Sequence, residues 1–172
     1  MNGAENFLEQ EFIPKSVYSL WGAKAMRFID YRIPPIMQYL RNVYGVQIII
    51  NDWHVGGDFD RRCLRPYGSV ANIPAFDLCN INTPPDPDFI EHSCHSFGRA
   101  VDFNVNGVSV SQVQQDILNK YCMDLLKLGV SGIEAFTDTW IHLSVSDFSL
   151  WTELKQQNGI YLIPVPAVPA VK

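Results

Sequence analysis

The chain has 172 residues, of which 47% are hydrophobic and 18% are charged, and its formal net charge is -5 at pH 7. This length suits one domain, and this composition can fill a hydrophobic core. The acidic balance argues against a nucleic-acid-binding face, and it gives no electrostatic attraction to an anionic membrane. No apolar run reaches the roughly 20 residues that would span a bilayer.

Secretion and disulfide signals are also missing from the sequence. The segment MNGAENFLEQEF has neither the basic region nor the apolar region of a signal peptide. Four cysteines stand at positions 63, 79, 94 and 122, and none belongs to a CxxC pair. We therefore expect free thiols and synthesis in a reducing cytoplasm.

In chain order, the first predicted elements are two helices and a strand. The run SVYSLWGAKAMRFID, residues 16–30, has apolar residues at near-helical spacing. Its apolar stripe comprises Val17, Leu20, Trp21, Ala25, Phe28 and Ile29. A second helix is predicted from Pro34 to about Gly45, because proline suits the first helical turn. Its inward-facing residues would be Ile36, Met37, Leu40 and Val43. The β-branched run VQIII then predicts a buried strand.

The middle of the chain predicts a long loop, a strand and the clearest helix. Residues 51–88 are rich in Gly, Pro, Asp and Asn, which is typical of loops. AVDFNV predicts a strand, and NVNG predicts the turn after it. In SQVQQDILNKYCMDLLKLG, Ser111 and Gln114 fit a capping box and Gly129 fits a helix stop. The apolar stripe of this helix comprises Val113, Ile117, Leu118, Tyr121, Leu125 and Leu128.

The last predicted elements are two strands and a tail. GIEAF and WIHLSVS read as strands, whereas YLIPVPAVPAVK cannot continue a helix or a central strand because its prolines remove donors. We therefore predict an α+β fold, with a small, mainly antiparallel sheet and helices packed on one side. A single domain would cover residues 1–160, and residues 161–172 would form a Pro-rich C-terminal tail.

The stretch EHSCHSFGRAVDFNVNG, residues 91–107, holds two of the four histidines. In an alternating strand Asp102 faces away from its apolar neighbours, and His142 does the same in WIHLSVS. Gly98 allows a tight turn between His95 and Asp102. Two imidazoles and one carboxylate are a workable zinc set. On spacing alone, a hydrogen-bonded structural histidine is the more frequent interpretation.

The segment SCHSFGRAVD matches S-x-H-x-x-G-x-A-x-D. This pattern resembles the signature of the zinc D-Ala-D-Ala carboxypeptidase and L-alanyl-D-glutamate endopeptidase family. These are peptidoglycan peptidases of bacteria and phage lysins, related in fold to the Hedgehog signalling domain. TWIHLSV is similar to the late W-x-H strand of the family, and IIINDWHVGGDFDRRCLRP to an upstream segment of phage-encoded members. The resemblance runs from about Val46 to Val145, and it implies a Zn²⁺ ion held by His95, Asp102 and His142.

The resemblance also implies metal-assisted amide hydrolysis in which a carboxylate transfers the proton. Many members place that Glu three residues before the last ligand, where this chain has Thr139. We favour Glu134 as the base and Asp138 as the second candidate. The alternative for Glu134 is a solvated strand residue. Other members continue with H-x-D, where this chain has Ser144, so a carboxylate that orients a ligand is missing.

Relatives often carry an arginine after the early strand that binds the substrate carboxylate, and His54 occupies that place here. Arg62 or Arg65 could replace it, because a guanidinium grips a carboxylate through two hydrogen bonds. An ordinary surface arginine is the alternative for either. Ser93 could also bind substrate, whereas His92 is not expected to be a ligand.

The residues and the resemblance together predict a zinc-dependent peptidoglycan peptidase encoded by a phage or prophage. It would be a DD-carboxypeptidase or an endopeptidase of the stem peptide. The alternative is a non-catalytic module that retains the fold as a structural or cell-wall-binding part of a virion. The expected partners are the stem peptide and, for a virion component, other virion proteins, but neither nucleic acid nor a membrane. The protein would act at the cell wall after release or as part of a virion.

Overall fold

The computed structural model describes residues 4–65, 94–134 and 137–145, together with the backbone of residues 160–162. Its first half is mostly helical. The elements are α1 (Glu9–Phe12), α2 (Lys15–Trp21), a 3₁₀ segment (Gly22–Phe28), α3 (Ile33–Tyr44), β1 (Ile48–Ile49) and a 3₁₀ turn (Trp53–Val55). The predicted loop of residues 51–88 lies outside the described residues from position 66 onward.

The second half supplies most of the sheet and one long helical stretch. A 3₁₀ turn, Cys94–Phe97, leads into β2, Ala100–Val105. Helix α4 (Val110–Asp116) continues through a π-helical turn (Ile117–Tyr121) into α5 (Cys122–Lys127). The remaining strands are β3 (Gly132–Glu134), β4 (Ile141–Ser144) and β5 (Ile160–Leu162). Within the described parts of the chain, no helix has the length and apolar character needed to cross a membrane.

The five strands form one sheet in the order β1-β2-β4-β3-β5, and every pairing is antiparallel. The predicted α+β class with a small antiparallel sheet is therefore confirmed. Strand β5 begins at residue 160, the last of the predicted domain, and includes the first two residues of the predicted tail. It pairs with β3 and stands last in the strand order, at the edge of the sheet as far as the described residues go. Residues 163–172 of that tail lie outside the described part.

The strand register sorts the sheet residues onto two faces. Asp102 pairs with His142, and Ile133 pairs with Leu143, so that Glu134 lies beside His142 one residue further along β3. The three ionisable side chains therefore form one row on one face. The opposite face belongs to the hydrophobic core and comprises Val101, Phe103, Val105, Ile133, Ile141 and Leu143. Helix α3 contacts β1 and β2, and α4 contacts β2 and β4.

Helix α3 confirms the predicted helix with one exception. It ends at Gly45, which adopts the left-handed conformation with φ 66° and closes the helix. Ile36, Met37 and Leu40 are fully buried, as predicted. The inward orientation of Val43 is wrong, because its side chain is 37% exposed near the end of the helix.

The long helical stretch begins and turns differently from the prediction. Its N-cap is Ser109, whose hydroxyl accepts a hydrogen bond from the Gln112 amide, so the capping box of Ser111 and Gln114 is wrong. The π-helical turn adds one residue to the helical repeat and rotates the apolar stripe. Leu118 is consequently 49% exposed, although Val113, Ile117 and Leu125 are buried as predicted.

The predicted helix of residues 16–30 is split in two. Gly22, with φ 54°, ends α2, and the chain continues as a 3₁₀ helix with a different repeat. The stripe therefore does not face the core as a whole. Ala25 and Ile29 are buried, but Leu20, Trp21 and Phe28 are exposed.

Candidate metal centre

The turn that carries His95 is fixed by a close approach of two backbones. Gly98 has φ +63°, and a Cβ atom there would overlap the carbonyl oxygen of Phe28. Its amide donates to the His95 carbonyl at 3.1 Å, and its carbonyl accepts from the Asp30 amide at 2.9 Å. Only glycine meets both requirements without strain. The turn thus holds the buried His95 ring against the polar face of the sheet.

Three potential ligand atoms converge on that face. His142 Nδ1 lies 2.8 Å from Asp102 Oδ1 and 3.1 Å from His95 Nε2, and the third separation, from His95 Nε2 to Asp102 Oδ1, is 3.3 Å. Bonds of about 2.0–2.2 Å in a tetrahedral site place ligand atoms about 3.3–3.6 Å apart. The observed triangle is slightly tighter than that, and all three residues are buried. His95, Asp102 and His142 could therefore hold a metal ion.

The tautomer of His95 is set by a main-chain acceptor. Its Nδ1 lies 2.9 Å from the carbonyl oxygen of Cys63, which can only accept. Nδ1 therefore carries a proton, and Nε2 is the ring atom that faces Asp102 and His142. A histidine ligand that donates its second ring N–H to a carbonyl is the usual arrangement in metal sites.

Thiolate ligands are not part of this cluster. Cys63 is fully buried, and burial raises the pKa of its thiol far above the usual range, so it contributes its carbonyl and not its sulfur. Cys63, Cys94 and Cys122 are free thiols, and Cys79 lies outside the described residues.

Asp102 remains ionised in spite of its burial. Burial raises the pKa of this carboxyl group, but hydrogen bonds from His142 and His95, together with their charges, outweigh burial and bring the pKa well below its usual range. The centre therefore combines a carboxylate with two ring nitrogens. Without a metal, hydrogen bonds join these three atoms, and a bound cation would take the place of the bridging protons.

The structure places the two candidate bases differently. Glu134 Oε2 lies 4.0 Å from His142 Nδ1, and the Glu134 side chain is 34% exposed, so it borders both the cluster and solvent. Asp138 is exposed in the bend before β4, and no hydrogen bond or ion pair joins it to His95, Asp102 or His142. Of the two carboxylates, Glu134 is the one beside the centre.

The two predicted arginines both flank Asp102. Arg65 Nη2 lies 4.0 Å from Asp102 Oδ2, and the Arg65 amide donates to the His95 carbonyl at 3.1 Å. The Arg62 carbonyl accepts a hydrogen bond from the Asp102 amide at 2.5 Å. The guanidinium of Arg62 stacks on the Phe59 ring, with 3.4 Å between Cζ and the ring centroid. Both arginines thus lie next to the carboxylate ligand, Arg65 through its guanidinium and Arg62 through its main chain.

Of the other predicted substrate residues, the structure describes only His54, and it is not brought to the centre. His54 lies in the 3₁₀ turn after β1, where its ring packs edge-on against Trp53 at 5.9 Å and its Nδ1 has no partner among the described residues. Ser93 and His92 lie outside the described residues. Ser144 is buried and donates to the Gly132 carbonyl at 3.4 Å, so its hydroxyl serves the sheet.

Sequence reasoning missed Asn104, which lies on the same face of β2 as Asp102. Its side chain accepts from Arg62 Nη1 at 2.5 Å and donates to the Thr139 carbonyl at 2.6 Å. The strand alternation that places Asp102 on the polar face also places Asn104 there, two residues later, so the sequence already indicated this residue.

No protein-family model, curated protein or solved structure matches this chain. The candidate metal centre is therefore supported by its own geometry.

Proposed function

We propose that the protein is a zinc-dependent peptidase that hydrolyses an amide bond of the peptidoglycan stem peptide, as a DD-carboxypeptidase or an endopeptidase. The observation that carries this proposal is the convergence of His95 Nε2, Asp102 Oδ1 and His142 Nδ1 at 2.8–3.3 Å from one another. Three protein ligands are the number found in catalytic zinc sites, which keep a fourth position open. The peptidase-like motifs SCHSFGRAVD and TWIHLSV support this substrate class and a Hedgehog-like form of the α+β fold.

Zinc is the metal that this donor set favours. Imidazole nitrogens and a carboxylate oxygen are common zinc ligands, whereas calcium and magnesium prefer oxygen ligands alone. When bound, the ion supplies Lewis acidity, which lowers the pKa of water toward about 7 and polarises an amide carbonyl.

Glu134 would move the proton. Its carboxylate stands beside His142 at the solvent side of the cluster, where it can take a proton from the attacking water. The remaining hydroxyl forms a bond to the carbonyl carbon, the C–N bond breaks, and the proton passes from Glu134 to the leaving nitrogen. The products are a carboxylic acid and an amine, and no further reactant is required.

Arg65 and Arg62 would bind the carboxylate of the stem peptide. Both flank Asp102, and the Arg65 side chain is 32% exposed, so its guanidinium is accessible from solvent. A guanidinium presents parallel N–H donors that match the two oxygens of a carboxylate. The charge of these arginines also complements an acidic substrate in an otherwise acidic protein.

Metal analysis tests the ligand set directly. Purified protein should hold about one zinc ion per chain, and His95→Ala should abolish binding. His54→Ala is the matched control, because that imidazole makes no contact with the centre, and His92→Ala should likewise keep the metal. Equal zinc content in His95→Ala and His54→Ala would show that the ligands are assigned wrongly.

Digestion of muropeptides, followed by mass spectrometry with a chelator control, tests the reaction. Glu134→Gln should keep its zinc and lose cleavage, because the amide cannot accept the proton. Asp138→Asn, an equivalent change at the exposed candidate, should cleave like the wild type. The opposite outcome would move the role of base to Asp138.

A non-catalytic module of a virion or of the cell wall is the second candidate function. Two observations favour it. Thr139 stands where many members of the resembled peptidase family have the catalytic Glu. Ser144 stands where other members have an Asp two residues after the last ligand, and its hydroxyl is bonded within the sheet. A wild-type protein that binds zinc and cleaves no muropeptide would establish this candidate. The site of action, at the wall after release or within a particle, follows from the same proposal.

A further inference from the structure

Both ends of the Asn104 side-chain amide are engaged with segments on opposite sides of β2. Its Oδ1 accepts from Arg62 Nη1 at 2.5 Å, and its Nδ2 donates to the Thr139 carbonyl at 2.6 Å. An amide offers an acceptor and a donor in one rigid plane, so it can fix two groups relative to each other. Asn104 therefore ties the chain around Arg62 to the chain that enters β4.

The Thr139 carbonyl lies just beyond the end of the strand ladder. The pairing of β2 with β4 begins at Phe103 and Ile141, two residues after Thr139. The Asn104 side chain takes the place of the next ladder hydrogen bond. Trp140 follows Thr139 directly, and by strand alternation it shares the face of His142, where its side chain is 39% exposed.

The Arg62 guanidinium is likewise held in one place. It stacks on Phe59 with 3.4 Å between Cζ and the ring centroid, and it donates to Asn104. Only one of its five N–H donors is needed for that bond, so others can serve a ligand. The Arg62 carbonyl is bonded to the Asp102 amide, which keeps the base of this side chain next to the metal ligand.

We infer that Asn104 is a positioning residue, which holds the Arg62 guanidinium and the Thr139–Trp140 segment at the rim of the metal centre for binding of the stem peptide. The inference rests on the proposed function, because the stem peptide is the ligand that Arg62 would grip. Both of these side-chain hydrogen bonds of Asn104 go to residues outside the cluster of His95, Asp102 and His142, so its role is separable from metal binding.

Peptide affinity tests this role without cleavage. A synthetic stem peptide ending in D-Ala-D-Ala is titrated calorimetrically into zinc-loaded Glu134→Gln protein, which serves as the background. Asn104→Ala should raise the Kd roughly tenfold, as expected for a lost hydrogen bond to a charged group, and leave the zinc content unchanged. Asn106→Ala, the same change at an exposed asparagine just after β2, should leave the Kd unchanged.

A double-mutant cycle with Arg62→Ala distinguishes positioning from a structural role. If Asn104 acts through Arg62, the Kd of the double variant should match that of Arg62→Ala alone. A purely structural residue would lower the melting temperature and give additive effects on Kd. In the cleaving protein, Asn104→Ala should raise KM and keep kcat within about twofold. Asn104→Ser, which cannot span both partners, gives the same comparison if Asn104→Ala does not fold.

The outcomes separate this inference from the proposed function. A wild type that binds zinc and cleaves muropeptide, beside an Asn104→Ala protein with unchanged Kd, overturns the inference alone. Additive effects of the two substitutions also overturn it. A wild type that binds the peptide and does not cleave it refutes the peptidase, and the Kd comparison still decides the role of Asn104. A wild type that holds zinc but does not bind the peptide overturns the inference.

Discussion

The two faces of strands β2 and β4 are almost equally buried and chemically opposite. On one face Phe103 and Leu143 are 0% and 1% exposed and belong to the hydrophobic core. On the other, Asp102 and His142 are 9% and 8% exposed and make polar contacts with each other. Burial of apolar side chains stabilises a fold, whereas a buried ionisable group costs free energy unless it has a partner.

Within this one sheet, the apolar face therefore serves the stability of the fold, and the polar face serves the binding of a cation. On the polar face, the cost of burying Asp102 is offset by His142 and His95, and His95 is held in turn by the Cys63 carbonyl. Apolar residues of similar volume would avoid that cost altogether. We therefore expect the apolar face to determine the stability of the metal-free protein, and the polar face to stabilise the fold mainly when a cation is bound.

The largest expected effect comes from the apolar face. Phe103→Ala should lower the free energy of unfolding by about 3–5 kcal/mol, because it removes a fully buried ring and leaves a cavity. Urea denaturation measures the loss. Phe97→Ala, at a ring that is 58% exposed, is the matched control and should change stability by about 0.5 kcal/mol or less. If Phe103→Ala lowered the free energy of unfolding only slightly, the apolar face would not determine the stability of the protein.

The second effect belongs to the polar face and requires the metal. Zinc at 100 times its Kd should raise the free energy of unfolding by about 2.7 kcal/mol, because it binds only the folded chain. Thermal unfolding with and without zinc measures this increment. Asp102→Asn should lose most of it, since it replaces a charged ligand by a neutral amide, whereas Val43→Ala, at a half-exposed helix position, should keep it. A full increment in Asp102→Asn would exclude this carboxylate as a ligand.

The two faces of the sheet were predictable from local alternation. In AVDFNV and WIHLSV, each polar candidate stands between two apolar residues, and the period of a strand places them on opposite sides. The structure confirms this pattern and pairs Asp102 directly with His142. The turn at Gly98 was also predictable, because glycine tolerates positive φ.

Features set by tertiary contacts were not predictable in the same way. The π-helical turn at Ile117–Tyr121 shifts the helical repeat, so Leu118 faces solvent although its spacing fits the apolar stripe. The N-cap is Ser109 and not Ser111, because capping signals in a sequence locate the start of a helix only approximately. The hydrogen-bond partner of His95 Nδ1 is the main-chain carbonyl of Cys63. Every residue has such a carbonyl, so the sequence does not indicate which one a side chain contacts.

The third expected effect concerns His95, the proposed ligand that lies in a turn and not in β2 or β4. His95 reaches the polar face through the turn at Gly98, so Gly98→Ala should lower the free energy of unfolding by about 2 kcal/mol or more and weaken zinc binding. Gly107→Ala is the matched control, because Gly107 also has a positive φ but no atom within 4 Å of an added Cβ. It should cost only about 1 kcal/mol. Equal losses would mean that the contact with Phe28 is unimportant.

The smallest effect concerns the ion pair that anchors the same turn from the other side. Arg32 donates to both carboxylate oxygens of Asp30 at 2.8 and 2.9 Å, and it also donates to the Val145 carbonyl at 2.5 Å, just after β4. Burial raises the pKa of Asp30, but the hydrogen bonds and charge of Arg32, with a contribution from Arg99, lower the pKa overall. Asp30→Asn should therefore cost about 1 kcal/mol at pH 7.

The pH dependence of that cost has a definite sign. Because the pKa of Asp30 is lower in the folded than in the unfolded chain, its contribution is fully present above the unfolded value of about 3.9 and is lost as the pH falls through the folded value. The difference in unfolding free energy between wild type and Asp30→Asn should be constant from about pH 7 to 5 and shrink below about pH 4. Asp58→Asn, at an exposed position, controls for the loss of one negative charge. A difference that grows on acidification would show that the carboxylate of Asp30 destabilises the fold, and the turn that delivers His95 would then depend on Gly98 alone.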